Sequence, residues 1–146
     1  MKSLNEQFSI NAKESNISIN LKATSPDKDS TIVTDNTKLI QILSNLINNA
    51  IKFTKNGQID FGYTLKDKFI EFFVSDTGIG IPPEYHSRIF DRFFQVDSAV
   101  SRQYSGTGLG LSICKGYVEL LGGDIKVESE SGKGTLFLFT IPYLKV

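Results

Sequence analysis

Asn45, Asn49 and Lys52 follow one another at four- and three-residue steps. On a helix turning about 100° per residue they project within about 60° of one another. Asn48 stands at the edge of the same sector. An amide oxygen is a neutral, hard donor of the kind Mg²⁺ accepts while keeping waters or phosphates as its other ligands. An ammonium one turn on, Lys52, can neutralise phosphate charge. On this helix alone, a solvated polar face accounts for the pattern equally well.

A second set lies in Val74-Ser75-Asp76-Thr77-Gly78-Ile79-Gly80-Ile81-Pro82. A strand delivers a carboxylate at its end and turns at once on two glycines, which permit positive φ and close backbone approach of a flat ligand. A buried, ionised Asp76 can accept a hydrogen bond from the exocyclic amine of adenine. It repels guanine, which presents an acceptor at that position. A third set, Gly106-Thr107-Gly108-Leu109-Gly110-Leu111, opens a helix. Backbone N–H groups at a helix start bind phosphate, and glycines remove the side chains that would block approach. The spacing is not the dinucleotide fingerprint, which needs glycine at Leu111, and no Walker A sequence is present. Arg92, Arg102 and Lys115 are candidate phosphate contacts that differ in no way from solvated charges.

Other reactive types have blander readings. His86 is the only histidine and has no second ligand or nucleophile near it, so it reads as a surface residue. Phe90, Phe93 and Phe94 read as aromatic core that anchors a loop. Cys114, the only cysteine, excludes an internal disulfide and reads as a buried structural thiol.

The elements that must position these groups follow from periodicity. Alternating Ile17, Ile19, Leu21 and Ala23 predict a strand, and Thr31–Thr34 a short second one. Asp35 can cap a helix running to about Phe53, with Leu39, Ile42, Leu43, Leu46, Ile47, Ala50 and Ile51 on one stripe. A hairpin of Ile59–Leu65 and Phe69–Ser75 comes next. Pro82-Pro83 is expected to open a short helix reaching about Phe93. The stretch Gln95–Gly108 reads as a long loop, and Leu109–Leu121 as a helix stopped by Gly122-Gly123. A final hairpin pairs Asp124–Glu130 with Thr135–Ile141. About six strands and three main helices, not strictly alternating, predict an α+β two-layer sandwich with a mixed sheet.

The chain has 146 residues, enough for one domain. It is 40% hydrophobic and 22% charged, and sixteen basic residues balance sixteen acidic ones. That balance disfavours non-specific attraction to nucleic acid or anionic membranes. No apolar run reaches the roughly 18 residues needed to span a bilayer, and Met1–Ser15 lacks a signal-peptide stretch. A cytosolic chain is expected, compatible with a membrane-anchored parent.

The order Asn45-Leu-Ile-Asn-Asn49-Ala-Ile-Lys52-Phe53-Thr54, Asp76-Thr-Gly78-Ile-Gly80-Ile, Ile89-Phe90-Asp-Arg-Phe93-Phe94-Gln95, and Gly106-Thr-Gly108-Leu-Gly110-Leu closely resembles the N, G1, F and G2 boxes of histidine kinase catalytic domains. These domains belong to the GHKL ATPase/kinase superfamily, with gyrase-type topoisomerases, Hsp90 chaperones and MutL repair proteins. The resemblance covers about Ile17 to Pro142. It implies a Bergerat-type ATP-binding sandwich with ATP and Mg²⁺ as cofactors. It further implies that Asn49 ligates Mg²⁺ with Asn45 assisting, and that Lys52 contacts the phosphates. Phe53 would pack near the adenine and Asp76 would bind its amino group. Gly78 and Gly80 would shape the base pocket, and Gly106, Thr107, Gly108, Leu109 and Gly110 would form the lid segment.

ATP-hydrolysing relatives resemble one another in carrying a glutamate four residues before the metal-binding asparagine. That position here is Asn45, and an amide cannot take a proton from water near neutral pH. The resemblance therefore favours phosphoryl transfer over hydrolysis, with Asn45 and Lys52 as the catalytic pair. The run Arg92–Ser98 with Ser101-Arg102 looks like the lid of hybrid-type sensor kinases. Gln95 stands where some relatives carry arginine, which leaves the γ-phosphate contact unassigned.

Sensor kinases phosphorylate a histidine on a separate helical dimerisation domain, and His86 does not match that context. The whole chain, 1–146, is thus expected to be a catalytic domain, with 1–16 as a connector remnant, monomeric in isolation. Its expected partners are the dimerisation domain and, through the full-length protein, a response regulator. The competing readings are a superfamily ATPase or serine kinase, and a catalytically silent nucleotide sensor.

Overall fold

The computed structural model describes residues 17–23, 36–54, 56–66, 68–91 and 110–142. In chain order these form β1 (Ile17–Ala23), α1 (Asn36–Phe53), β2 (Gly57–Leu65), β3 (Phe69–Asp76), a 3-10 turn at Pro83–Tyr85, α2 (Gly110–Leu120), β4 (Asp124–Glu130) and β5 (Gly134–Pro142). The strands lie in one sheet in the order β1-β2-β3-β5-β4. β1 and β2 pair in parallel, and the other neighbours pair antiparallel. A parallel pair needs a long crossover, and α1 lies in it.

The apolar stripe on α1 explains which face it buries. Ile42, Leu43, Leu46, Ile47 and Ala50, spaced by three and four residues, are all buried, while Gln41, Asn48 and Lys52 are exposed. On the sheet, alternation does the same work. Ile70, Phe72, Val74 and Asp76 of β3 are buried and their intervening neighbours are partly open. β5 repeats the pattern with Thr135, Phe137, Phe139 and Ile141. The register sets Phe72 opposite Phe139, and their rings stack with centroids 4.9 Å apart. Helices therefore cover one face of the sheet, which is the two-layer sandwich expected.

α2 buries Cys114 and Val118. It ends where Gly122 takes φ 86°, and the Gly123 N–H donates to the Val118 carbonyl at 2.9 Å. Gly123 has no room for a side chain, because a Cβ there would run into the Thr140 carbonyl of β5.

One expectation changes. The helix expected from Pro83 to about Phe93 is a single 3-10 turn followed by further turns to Phe90, so the described residues hold two α-helices rather than three. Its bonds alternate in reach, with Arg88 N–H to the Tyr85 carbonyl at 2.9 Å and Ile89 N–H to the same carbonyl at 3.1 Å. Between Pro82 and Asp91 only Ile89 is buried. With no continuous stripe to bury, nothing offsets the cost of extending a helix. The strand at Thr31–Thr34, the cap Asp35 and the segment 1–16 lie outside the described residues. Among those residues, no helix is long and apolar enough to cross a membrane.

Phe139 is fully buried at the centre of the sheet face. Phe139→Ala is expected to lower unfolding free energy by about 3–5 kcal/mol, read from the midpoint of a urea titration. A loss below about 1 kcal/mol would mean that the core does not depend on this stack.

Candidate functional site

β3 ends at Asp76 because the chain turns there on Thr77-Gly78-Ile79-Gly80. Asp76 is 8% exposed, and its Oδ1 accepts the Gly78 N–H at 2.9 Å. The Thr135 backbone N–H, opposite on β5, also donates to the carboxyl. Burial pushes its pKa from the ordinary 3.8 up to about 6, against the pull of those two backbone hydrogen bonds. Among the described residues, no cation contributes.

The turn after Asp76 is seated on backbone at both ends. A Cβ on Gly78 would collide with the Phe53 carbonyl, the last carbonyl of α1, and the neighbouring Ile79 N–H donates to that same carbonyl at 3.1 Å. Gly80 takes φ +74°, and a Cβ there would meet the Glu130 carbonyl of the β4–β5 hairpin. The Gly132 N–H returns a bond to the Ile79 carbonyl at 2.7 Å. Gly78 and Gly80 thus let the turn lie directly on a helix end and a hairpin, which brings the C-terminal turn of α1 beside Asp76.

On α1, Asn45 and Asn49 are half-buried and Lys52 is exposed. Asn45 joins the two helices. Its Oδ1 accepts from Gln41 Nε2 at 3.2 Å, and its Nδ2 reaches the Gly110 carbonyl at 3.5 Å. Its side chain also bonds the Cys114 thiol, which burial nonetheless raises to about 12. That thiol is fully buried and donates to the Ile42 carbonyl at 3.7 Å, so the reading of Cys114 as structural holds. Asn49 is half-buried one turn beyond Asn45 on the same side of α1.

α1 is therefore the common rail of the site. Its end at Phe53 touches the Asp76 turn, and Asn45, about 12 Å back along the axis, touches the first residue of α2. Phe53 is half-buried. Gly110 opens α2, and no described residue comes within 4 Å of where its Cβ would stand. Gly106, Thr107, Gly108 and Leu109, with Arg92, Gln95 and Arg102, lie outside the described residues. Lys115 is exposed on α2.

Three residues were missed by sequence reasoning. Thr54 is buried, and its Oγ1 has no hydrogen-bond partner among the described residues. It lies where a Cβ on Gly78 would fall within 2.8 Å of it. Thr135, 8% exposed, and Ser129 meet through their hydroxyls at 3.0 Å. With Asp76 they line a cleft of about 540 Å³ bounded by the end of β3, His86 and the β4–β5 hairpin. No residue-type pattern could have found them, since only the β3–β5 register sets Thr135 opposite Asp76. His86, expected at the surface, is half-buried in the same cleft, with Nε2 2.9 Å from the Ile81 carbonyl. A carbonyl only accepts, so that nitrogen carries the proton. Phe90 meets Phe137 edge-on at 6.2 Å, the anchoring role expected of it.

Comparison with known proteins agrees with this geometry. The family described as "Histidine kinase-, DNA gyrase B-, and HSP90-like ATPase" matches residues 34–145. The hybrid signal transduction histidine kinase B of Dictyostelium discoideum is 48% identical over 113 residues, covering 74% of this chain and 6% of that protein. The chain thus spans a small part of that relative. The crystal structure of full-length ShkA in complex with AMPPNP superposes with a TM-score of 0.89 at 35% identity, covering 99% of this chain and 29% of that one. The catalytic domain of the histidine kinase ThkA gives a TM-score of 0.81 at 31% identity, covering 97% of this chain and 90% of that one. With its two-layer sandwich, its buried strand-end carboxyl and this match over most of its length, the chain belongs to the family of histidine kinase-, DNA gyrase B- and HSP90-like ATPases.

Proposed function

We propose that this chain is the ATP-binding catalytic domain of a sensor histidine kinase, of the hybrid type. It would donate the γ-phosphoryl group of Mg-ATP to a histidine on a separate dimerisation domain. Residues 1–146 form that domain, with 1–16 as the connector to the phosphoacceptor helices. A response regulator then receives the phosphoryl group from the full-length protein.

The observation that carries the reading is Asp76: an almost fully buried carboxyl whose only hydrogen-bond donors among the described residues are backbone N–H groups. Such a group has lone pairs beyond those two bonds, and an adenine amine is a donor of the right chemistry. The unpartnered Thr54 Oγ1 beside the same turn leaves room for a second polar contact or a bridging water. The residues present also fit a metal–phosphate end. Asn49 offers a half-buried amide, and Lys52, one turn further, offers an exposed ammonium. Bound Mg-ATP supplies the activated phosphoryl group and part of the neutralising charge.

The chain's own residues do the rest. Asp76 orients the base, Asn49 holds the metal and Lys52 balances phosphate charge. Asn45 cannot deprotonate water, and its oxygen is held by Gln41 while its nitrogen is held by the start of α2. That arrangement supports transfer over hydrolysis.

Calorimetry with ATP and GTP, each with and without Mg²⁺, tests the assignment. Saturable ATP binding is expected, at least about tenfold tighter than GTP. Asn49→Ala is expected to abolish the Mg²⁺-dependent part, and Asp76→Asn to weaken adenine selection. If both variants bind Mg-ATP as the parent does, the pocket assignment is wrong. Phosphate transfer to an added dimerisation domain then separates the kinase from a silent nucleotide sensor.

The Asp76 carboxyl gives a second test. Its proton affinity is higher in the folded chain, so its contribution favours folding most below pH 3.8 and is lost as pH rises through about 6. At neutral pH the ionised form is a cost, recovered in part when a donor binds. A carbon-detected NMR titration of the nucleotide-free chain is expected to show a midpoint near 6, falling when ATP is present. A midpoint below about 5 in the free chain would remove the argument from burial.

A further inference from the structure

Ser129 sits half-buried on β4, between the Asp76 turn and β5, and its single hydroxyl meets three groups. It accepts the Ile81 N–H at 2.7 Å and donates to the Gly134 carbonyl at 2.8 Å. It also lies 3.0 Å from the Thr135 hydroxyl oxygen, a contact whose direction the oxygen positions alone do not fix.

Counting protons fixes it. A serine hydroxyl has one proton to give and two lone pairs to offer. A carbonyl can only accept, so the Ser129 proton goes to Gly134. One lone pair takes the Ile81 N–H, and the other remains for Thr135. The Thr135 hydroxyl must therefore be the donor in the Ser129–Thr135 bond. Its only proton is then used, and what it presents elsewhere is lone pairs.

Thr135 and Asp76 are directly opposed on β3 and β5, on the same buried face of the sheet. Cβ atoms of such a pair are about 4.5–5.5 Å apart. A ligand group held on the Asp76 carboxylate is therefore within reach of the Thr135 oxygen. Ionised Asp76 and a committed Thr135 together offer acceptors only. Resting on the adenine reading above, we infer that Ser129 is a specificity-determining positioning residue. By consuming the Thr135 proton it makes the floor of the base pocket acceptor-only, which selects purines with an amino group at C6 and rejects those with a carbonyl there.

Without the Ser129 hydroxyl, Thr135 is free to rotate and donate. A C6 carbonyl then finds a donor where it met only lone pairs. Discrimination falls because the wrong ligand is no longer left unpaired.

The probe is inosine triphosphate, which differs from ATP only in the C6 substituent and the accompanying N1 proton. In calorimetric titrations of the whole chain, Ser129→Ala is expected to narrow the ATP-over-inosine-triphosphate affinity ratio by about tenfold. Ser129→Thr, which keeps a hydroxyl at the same place, restores the ratio. Thr135→Val keeps the branched shape and removes the hydroxyl, so adding Ser129→Ala to it leaves the ratio unchanged. In the nucleotide-free chain, amide exchange at Ile81 speeds up in Ser129→Ala and not in Ser129→Thr. A purely structural role predicts the contrary: both nucleotides weaken by the same factor, with or without Thr135, and that result overturns the inference. An unchanged ratio in Ser129→Ala, in a chain that binds ATP, overturns it as well. If the parent chain binds no ATP, the adenine reading itself falls and takes this inference with it.

Discussion

A carboxyl held almost dry at the end of a central strand is the constraint around which the molecule is arranged. Lifting the Asp76 pKa from 3.8 to about 6 corresponds to ~3 kcal/mol against the ionised form at neutral pH. For a domain whose whole stability is about 5–15 kcal/mol, that is a large standing cost. A structural ion pair would have removed it, yet among the described residues only backbone N–H groups act on the carboxyl. The apolar faces of α1 and the sheet must carry the deficit. Ile42, Leu46, Ile47, Ile59, Phe61 and Phe139, all at 0% exposure, are the groups placed to do so. At about 1.5–3 kcal/mol per fully buried large apolar side chain, they exceed the penalty several-fold before chain entropy is counted. A cost of this kind, which the core can carry, is what the proposed contact with a ligand donor would partly recover.

The same carboxyl dictates its surroundings. Two backbone N–H groups have to point at it, one from the turn that follows and one from the neighbouring strand. The first requires Gly78 to lie against the last carbonyl of α1, and the second requires β5 to sit beside β3 in the observed register. The order β1-β2-β3-β5-β4 meets the second demand, because the final hairpin inserts β5 rather than β4 next to β3. Topology and site are thus one problem. The hairpin that completes the sheet also brings Ser129 and Thr135 to the pocket.

Much of this was legible in the residues. The three- and four-residue recurrence from Leu39 to Ile51 gave α1 and its buried stripe, because a helix long enough to span several turns imposes its period on the sequence. Alternation gave β3 and β5 to within two residues at each end. Asp76 stood out because a strand-end acid followed by two glycines is a combination that ordinary turns rarely need. Failure came where the signal was short or non-local. The segment from Ile81 to Phe90 carries apolar residues at Ile81, Tyr85, Ile89 and Phe90, enough to suggest a helix and too few to build one. Asn45 read as a pocket residue, and one helix cannot reveal that its amide bridges to Gly110 and Cys114 on another. Ser129 and Thr135 depend on pairing across strands, which no local pattern encodes.

The glycines at this turn serve a different purpose from the one that drew attention to them. Sequence reasoning valued Gly78 and Gly80 for admitting a ligand, whereas the geometry shows them admitting the protein's own backbone, the Phe53 carbonyl on one side and the Glu130 carbonyl on the other. The consequence is a turn clamped by four bonds: Thr77 N–H to the Gln58 carbonyl, Ile79 N–H to Phe53, Gly132 N–H to Ile79, and Ile81 N–H to the Ser129 hydroxyl. A turn fixed to β2, α1 and the final hairpin has little freedom left to lose when a ligand arrives. Preorganisation then lets a few polar groups discriminate sharply, since a misplaced acceptor in the ligand cannot be accommodated by shifting the turn. Rigidity at this end of α1 is what allows a single proton, the one Thr135 gives to Ser129, to matter.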